Sequence, residues 1–269
     1  MTRLAYGMLI ALFAFTAAAQ TTAPPASGEQ AVTVQGPQRP SPPPPDVSPA
    51  QLERTGDELR AQKFYDDAID HYTAALRTNS SSAVLRNKIG IAHLQMARYD
   101  HAQKEFKRAI KANPQYAEAH NNLGVVHYKK NKYKQAIREY QTALQLSPDS
   151  ASFHSNLAAA YFARKEYDKA TAHYLRAIQI DPEIFERQSH AGIAARMASP
   201  EDRARYAYIL AKLWAKVGDL DRSLQYLKKA VEEGYPGIGD VYKDAEFTAL
   251  RNDPRFAEVM ARKEPLVTN

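Results

Sequence analysis

The sequence contains no cysteine and only 11 glycines among its 269 residues. The absence of cysteine excludes disulfide scaffolds, cysteine zinc sites, thiol nucleophiles and cysteine lipidation. We find no phosphate-binding loop, no dinucleotide fingerprint and no G-x-S-x-G nucleophile motif. The charge excess is small, with 36 basic against 30 acidic residues. The hydrophobic fraction of 44% and the charged fraction of 25% are those of a globular protein.

The N-terminal segment 1–19 has the pattern of a secretory signal peptide. Arg3 supplies the positive charge, Leu4 to Phe15 form an apolar stretch, and Ala17 to Ala19 are the small residues that signal peptidase accepts. The apolar stretch is shorter than the roughly 20 residues that a spanning helix needs. We therefore predict cleavage after Ala19 and export of a soluble protein to the periplasm or beyond. An uncleaved membrane anchor is the alternative.

A proline-rich segment follows the predicted signal peptide. Nine of the 16 prolines lie between Gln20 and Pro49. Proline removes amide donors and restricts φ, which excludes helices and inner strands. The sequence predicts a disordered or polyproline linker over 20–48. The spacing of Pro37, Pro40 and Pro43 also matches a P-x-x-P ligand, but a spacer is the simpler interpretation.

The strongest pattern in the sequence is a 34-residue repeat. One class of small residues recurs with this step, as do a class of alanines and a class of aromatic residues. The three classes are Gly56, Gly90, Gly124 and Ala158; Ala68, Ala102, Ala136 and Ala170; and Tyr72, Phe106, Tyr140 and Tyr174. Prolines close three units at Pro114, Pro148 and Pro182. The recurrence of these residue types every 34 residues predicts one structural unit that is repeated along the chain.

Each unit has the spacing of two helices. In the third unit, His120, Leu123 and His127 lie on one helical face, and Ala136 and Tyr140 lie on a second. A glycine within the first helix costs about 1 kcal/mol relative to alanine. Its repetition indicates that two helix backbones approach closely there.

These positions resemble the tetratricopeptide repeat, which has a period of 34 and the same pattern of small, aromatic and proline residues. The resemblance implies an all-α, right-handed solenoid of helix–turn–helix units. The units are four contiguous repeats over 49–184 (49–82, 83–116, 117–150 and 151–184), an insertion over 185–203, a fifth repeat over 204–237 and a helical cap over 238–269. Ser199 and Pro200 have the pattern of a helix start inside the insertion. The family's usual tryptophan near the unit start is absent, and Ala158 and Ser80 replace its usual glycine and proline.

The resemblance also implies that the first helix of each unit lines a concave groove. We expect asparagine amides there to pair with the backbone of an extended peptide, and apolar neighbours to hold its side chains. The expected peptide-binding residues are Asn87, Ile91, Leu94, Asn121, Asn122, Val125, Tyr128, Ser155, Asn156 and Phe162. The family's carboxylate clamp is only partly matched, by Asn87 and Lys88. The alternative is that these asparagines are ordinary surface residues and that the binding site lies elsewhere.

Catalytic and metal sites are not predicted. The eight histidines form no H-E-x-x-H pair, and His93 and His127 occupy packing positions of the repeat. We therefore expect no enzyme activity, no metal and no cofactor.

The second unit, by contrast, is strongly basic, with seven lysines and arginines against two acids. Its predicted outward face carries Lys104, Lys107, Arg108 and Lys111. Such a face is usually solvated, but it also suits an anionic partner.

The sequence thus predicts a non-catalytic interaction scaffold of the cell envelope that binds a peptide or a partner protein. The alternative is an accessory protein that docks on anionic envelope surfaces through the basic face. Export disfavours nucleic acid as a partner. The sequence predicts neither the partner's identity nor the oligomeric state.

Overall fold

The computed structural model describes residues 43, 46–188 and 199–261. All of them belong to one compact unit that spans residues 40–269. Within these ranges the regular structure is helical, without strands. The predicted signal peptide, most of the predicted linker and residues 189–198 of the predicted insertion lie outside the described residues.

Four helix pairs of nearly equal length occupy the four predicted contiguous units. Their bounds are α1 Pro49–Ala61, α2 Tyr65–Leu76, α3 Ala83–Gln95, α4 Tyr99–Ala112, α5 Ala117–Lys129, α6 Tyr133–Leu146, α7 Ala151–Ala163 and α8 Tyr167–Ile180. The two helices of each pair pack against each other, and each second helix packs against the first helix of the next pair. In addition, α3 contacts α5 and α5 contacts α7. The all-α fold of stacked helix pairs is confirmed.

A short helix and a longer fifth pair follow. Their bounds are α9 Ile184–Gln188, α10 Pro200–Val217 and α11 Leu220–Glu232. The Ser199 side chain accepts a hydrogen bond from the Asp202 backbone N–H, and Pro200 is the first helical residue. A serine cap and a proline at this position both favour a helix start. Helix α10 therefore begins within the predicted insertion 185–203, close to its end.

The C-terminal part consists of short helical segments packed on the fifth pair. Two 3₁₀ turns, Ile238–Tyr242 and Ala245–Phe247, precede α12 Thr248–Arg251 and α13 Pro254–Ala261. Phe247 and Leu250 are fully buried, and α12 and α13 contact α11. These segments cover an end of the array that would otherwise leave apolar surface in water. No helix in the described part of the chain is long and apolar enough to cross a membrane.

The repeated small residue lies directly against the repeated aromatic ring. A Cβ atom at Gly56, Gly90 or Gly124 would lie 2.5–2.6 Å from the nearest ring carbon of the residue 16 positions later. Real carbon atoms do not approach so closely. In the fourth unit, Ala158 and Tyr174 are both fully buried. A small residue, glycine in three units and alanine in the fourth, thus allows the ring of the second helix to lie close to the backbone of the first.

The turns between paired helices share one backbone conformation. Lys63, Ala97, Asn131 and Lys165 all have φ between 56° and 69°, and Gly218 has φ 89°. The left-handed region ends a helix sharply, and glycine adopts it with least strain. The same turn geometry therefore recurs at every unit, although only the fifth unit uses glycine.

We predict that Gly124→Ala destabilises the array by about 1–3 kcal/mol. The added methyl group would meet the Tyr140 ring at 2.6 Å, and overpacking of this kind outweighs the gain of about 1 kcal/mol in helix propensity. Urea unfolding followed by circular dichroism measures the change. Ala158→Gly is the matched control, which should lose the propensity term and the burial of one methyl group but introduce no clash with the ring. A Gly124→Ala variant as stable as the wild type would contradict this packing role.

Candidate functional site

The four asparagines of the predicted groove form one continuous hydrogen-bonded chain, which we call the asparagine ladder (Asn87, Asn121, Asn122 and Asn156). Asn156 Nδ2 donates to Asn121 Oδ1 at 2.9 Å, and Asn122 Nδ2 donates to Asn87 Oδ1 at 2.9 Å. Asn121 Nδ2 donates to Asn122 Oδ1 at 3.3 Å, which joins these two bonds. Asn87 Nδ2 then donates to the Tyr116 hydroxyl at 3.4 Å. The ladder therefore connects α7, α5 and α3 side by side.

Burial divides the ladder into inner and outer members. Asn87 and Asn121 are only 4% and 8% exposed, whereas Asn122 and Asn156 are half-buried. An asparagine side chain has two N–H donors and an oxygen that accepts two hydrogen bonds. Asn122 and Asn156 each use one of these two donors in the ladder, so each has a second N–H that the ladder does not use. The repeat pattern alone favours Asn87 and Asn121 as the leading ligand-binding residues, but the structure exposes the other two.

Partly exposed apolar side chains lie on the same three helices as the ladder. Ile91 and Leu94 of α3 pack on the core around Phe106, and Val125 and Tyr128 of α5 pack on the main core. All four keep part of their surface in solvent. The first helices of the second and third units thus carry partly exposed apolar side chains as well as the asparagines of the ladder.

Two further residues of the predicted site are buried. Ser155 is fully buried, and Phe162 is 4% exposed. The Phe162 ring lies edge-on to Tyr167 at 5.2 Å and to Tyr206 of α10 at 5.9 Å. Ring packing within the fourth unit and from α10 thus buries Phe162, and the assignment of both residues to the groove stays a prediction.

The cationic residue next to the ladder is already neutralised. Lys88 Nζ lies 2.6 Å from both Glu53 Oε1 and Asp57 Oδ2, and the Tyr72 hydroxyl donates to Asp57 Oδ1 at 2.8 Å. Burial alone would lower the pKa of Lys88, but hydrogen bonds to Asp57 and Glu53 outweigh it and raise that pKa. Lys88 is thus not a free cation for the carboxylate terminus of a peptide.

The predicted basic face lies on α4. Lys104, Lys107, Arg108 and Lys111 are all exposed. Arg108 pairs with Glu105 of the same helix. For the three lysines, no carboxylate of the described residues lies within ion-pair distance. We call Lys104, Lys107 and Lys111 the α4 lysines.

The histidines serve mainly as packing and hydrogen-bonding residues. His127 is 7% exposed, and its Nδ1 has no partner among the described residues. Burial lowers the pKa of His127 and also that of His93. His120 places Nδ1 2.9 Å from Glu139 Oε2. Within residues 46–188 and 199–261, no group of three or more histidine or acidic side chains is arranged to hold a metal ion.

The helix pairs stack with a 34-residue step, a small residue packs on an aromatic ring in each pair, and a row of asparagines runs along the first helices. These features define a helical-repeat solenoid protein. The family model described as tetratricopeptide repeat matches residues 87–151 and 126–183. Residues 87–183 of the chain therefore belong to the tetratricopeptide-repeat family.

Three solved structures illustrate the similarity. A crystal structure of MamA is 23% identical, with a TM-score of 0.47, and the match covers 66% of this chain and 93% of that one. YrrB, described as a tetratricopeptide-repeat protein with an unusual peptide-binding site, is 19% identical over 68% of this chain and 84% of its own, with a TM-score of 0.46. TTC0263 of Thermus thermophilus is 21% identical, with a TM-score of 0.49, and the match covers 80% of this chain and 100% of that one. A search of curated proteins found no match to this sequence.

We predict that the free energy of unfolding decreases as the pH falls from 6.5 to about 5. The folded-state pKa of His127 lies below its ordinary value of 6.5 because the ring is buried. In this window the unfolded chain binds more protons than the folded one, so acidification favours unfolding. The window lies above the usual titration of carboxylates.

His127→Leu should reduce this pH dependence, because a buried ring that must stay neutral is replaced by an apolar side chain. Urea unfolding at several pH values measures the slope. Val126→Ala is the control, which should lower stability equally at each pH. If His127→Leu and the wild type have the same slope, burial of His127 is not its source.

Proposed function

We propose that this protein is a non-catalytic scaffold of the cell envelope that binds an extended segment of a partner protein across α3, α5 and α7. The asparagine ladder is the observation that carries the proposal. An extended peptide presents N–H and C=O groups at regular intervals, and primary amides pair with both. The half-buried Asn122 and Asn156 lie on neighbouring first helices and have unused donors for such pairing.

The apolar surface beside the ladder supports the same ligand. Ile91 and Leu94 lie on α3, and Val125 and Tyr128 lie on α5, each partly exposed. Side chains of an extended peptide that point toward the protein would bury apolar area there, at about 25 cal/mol per Å². Because Lys88 is paired with Glu53 and Asp57, an internal segment suits this surface better than a C-terminal carboxylate.

The location in the envelope is supported by the N-terminal sequence. The positive start at Arg3, the apolar stretch and the alanines before Gln20 have the order of a secretory signal. The proline-rich segment 20–48 would then separate the repeat array from a point of attachment or from the membrane surface.

A second candidate function is docking on an anionic envelope surface through the α4 lysines. Elsewhere in the array, lysines such as Lys88, Lys130 and Lys212 lie within ion-pair distance of carboxylates. The α4 lysines are exposed without such a partner in the described part of the chain. Three uncompensated charges on one helix favour association with anionic lipid or polymer.

We predict that Asn122→Ala with Asn156→Ala weakens peptide binding about tenfold or more. Each lost amide pair contributes about 0.5–1.5 kcal/mol, and about 1.4 kcal/mol corresponds to a factor of ten. Peptides selected from a displayed random library would be synthesised, and their affinities measured by fluorescence anisotropy. Asn79→Ala with Asn252→Ala is the matched control, since both amides are exposed outside the ladder.

A second variant tests peptide binding without changing the ladder itself. Val125→Lys places a charge on the apolar surface and leaves all four asparagines in place, so it should weaken the same peptides. Unchanged affinity in both variants, with helicity and stability retained, would show that peptides bind elsewhere.

For the second candidate, we predict that Lys107→Glu with Lys111→Glu abolishes sedimentation with vesicles containing phosphatidylglycerol. Raised salt should have the same effect on the wild type, because salt ions reduce the range of the attraction between the lysines and the anionic lipid. Lys216→Glu with Lys243→Glu makes the same change in net charge near the C-terminal end and should leave binding largely intact. Equal losses in both double variants would point to net charge alone.

A further inference from the structure

Two histidine rings of the fourth unit meet nitrogen to nitrogen. His154 of α7 and His173 of α8 have their Nδ1 atoms 3.0 Å apart. Their rings are stacked, at an interplanar angle of 29°. Tyr161 also stacks on the His173 ring, at an angle of 10° and a centroid distance of 5.8 Å. Two nitrogen ligands from adjacent helices are therefore held together by packing.

A backbone carbonyl determines which nitrogen of His154 carries hydrogen. His154 Nε2 lies 3.0 Å from the Pro148 carbonyl oxygen, and a carbonyl only accepts hydrogen bonds. Nε2 is therefore the donor, and in the neutral ring the Nδ1 lone pair points toward His173. Metal-bound histidines are commonly oriented in this way, with the second ring nitrogen donating to a carbonyl.

The third unit shows what distinguishes this pair. His120 occupies the position equivalent to His154, and its Nε2 lies 3.2 Å from the Pro114 carbonyl oxygen. Its Nδ1, however, faces the carboxylate of Glu139 at 2.9 Å. In that unit the two side chains satisfy each other as donor and acceptor. Replacement of the acid by His173 in the fourth unit brings together two imidazole rings, each of which has one lone-pair nitrogen in its neutral form.

We propose that His154 and His173 form a binding site for a divalent transition-metal ion of the Cu²⁺ or Ni²⁺ class. Metal–imidazole bonds are about 2.1 Å long, so two nitrogens at right angles around one ion lie about 3 Å apart. Right-angled coordination is the preference of Cu²⁺ and Ni²⁺, whereas tetrahedral Zn²⁺ would need a separation of about 3.4 Å.

Binding exchanges one hydrogen bond for two metal–nitrogen bonds. In the metal-free pair, His173 Nδ1–H donates to His154 Nδ1. When the ion enters, that proton moves through water to Nε2 of His173, and rotation of the rings about their side-chain bonds directs both Nδ1 lone pairs at the ion. The number of bound protons is unchanged, and water fills the remaining coordination positions.

The pair is open to solvent through a cavity. A cavity of about 610 Å³ borders both rings and is lined by polar groups that include Gln141, Asp149 and Arg176. Asp149 is paired with Arg176 at 2.8 Å, so the ligands assigned here are the two rings alone. Burial, and for His173 also the neighbouring His154, lowers the pKa of both histidines.

The test is titration of the full chain with Cu²⁺, followed by calorimetry and electron paramagnetic resonance. We expect one equivalent to bind with two coordinated nitrogens in the spectrum and to raise the melting temperature, since a ligand that binds the folded state stabilises it. His173→Gln should weaken this site about tenfold or more. It leaves the bond between His154 and Pro148 in place, so the fold should be retained.

His101→Gln is the matched control. The His101 ring lies 5.1 Å from that of His93 in the second unit. If any two neighbouring histidine rings could bind copper, His101→Gln would also weaken copper binding. Loss of the two-nitrogen signal in His173→Gln and its retention in His101→Gln would support the site. Equal binding by the wild type and His173→Gln, or loss in His101→Gln only, would overturn it.

Discussion

The architecture depends on the contact between a residue without a bulky side chain on one helix and an aromatic ring on the next. At Gly56, Gly90 and Gly124 there is no room for even a methyl group beside the ring. The contact brings paired helix backbones close together. Its repetition at a constant step makes the first four pairs nearly identical, and such pairs stack. The same regular stacking places equivalent residues of successive units next to each other.

The asparagine ladder follows from that stacking. Asn122 of the third unit reaches Asn87 of the second, and Asn156 of the fourth reaches Asn121 of the third. Each bond joins residues 35 apart, one repeat plus one position. The ladder thus links neighbouring first helices and also presents its outer amides to solvent. A structural network and a proposed ligand-binding surface are combined in the same side chains.

The histidine pair also results from the regular stacking, combined with one change of side chain between the third and fourth units. Positions equivalent to His154 and His173 meet in the third unit as His120 and Glu139. Because the backbone geometry repeats, a change of side chain at one position changes the chemistry at a fixed location. The repeat fold can therefore vary a site from unit to unit while it keeps the frame constant.

The repeat, the two helices of each unit and the close approach at the glycine position were predictable from the sequence, because they depend on spacing along one chain. The positions of Ile91, Leu94, Val125 and Tyr128 as partly exposed groups followed from the same periodicity. The periodicity did not predict that Asn122 and Asn156 would be more exposed than Asn87 and Asn121. Pairs of asparagines 35 residues apart are a signal in the sequence that could have indicated the ladder.

Burial of Ser155 and Phe162 was decided by tertiary structure alone. Tyr206 packs on Phe162, and it lies beyond the insertion that interrupts the 34-residue step. The meeting of His154 and His173 likewise depends on side-chain geometry between two helices. Periodicity in the sequence determines which residues share a helix face, because the backbone of a helix has a constant number of residues per turn. Which of these residues remain exposed depends on what the rest of the chain packs against them, and only the folded structure determines that.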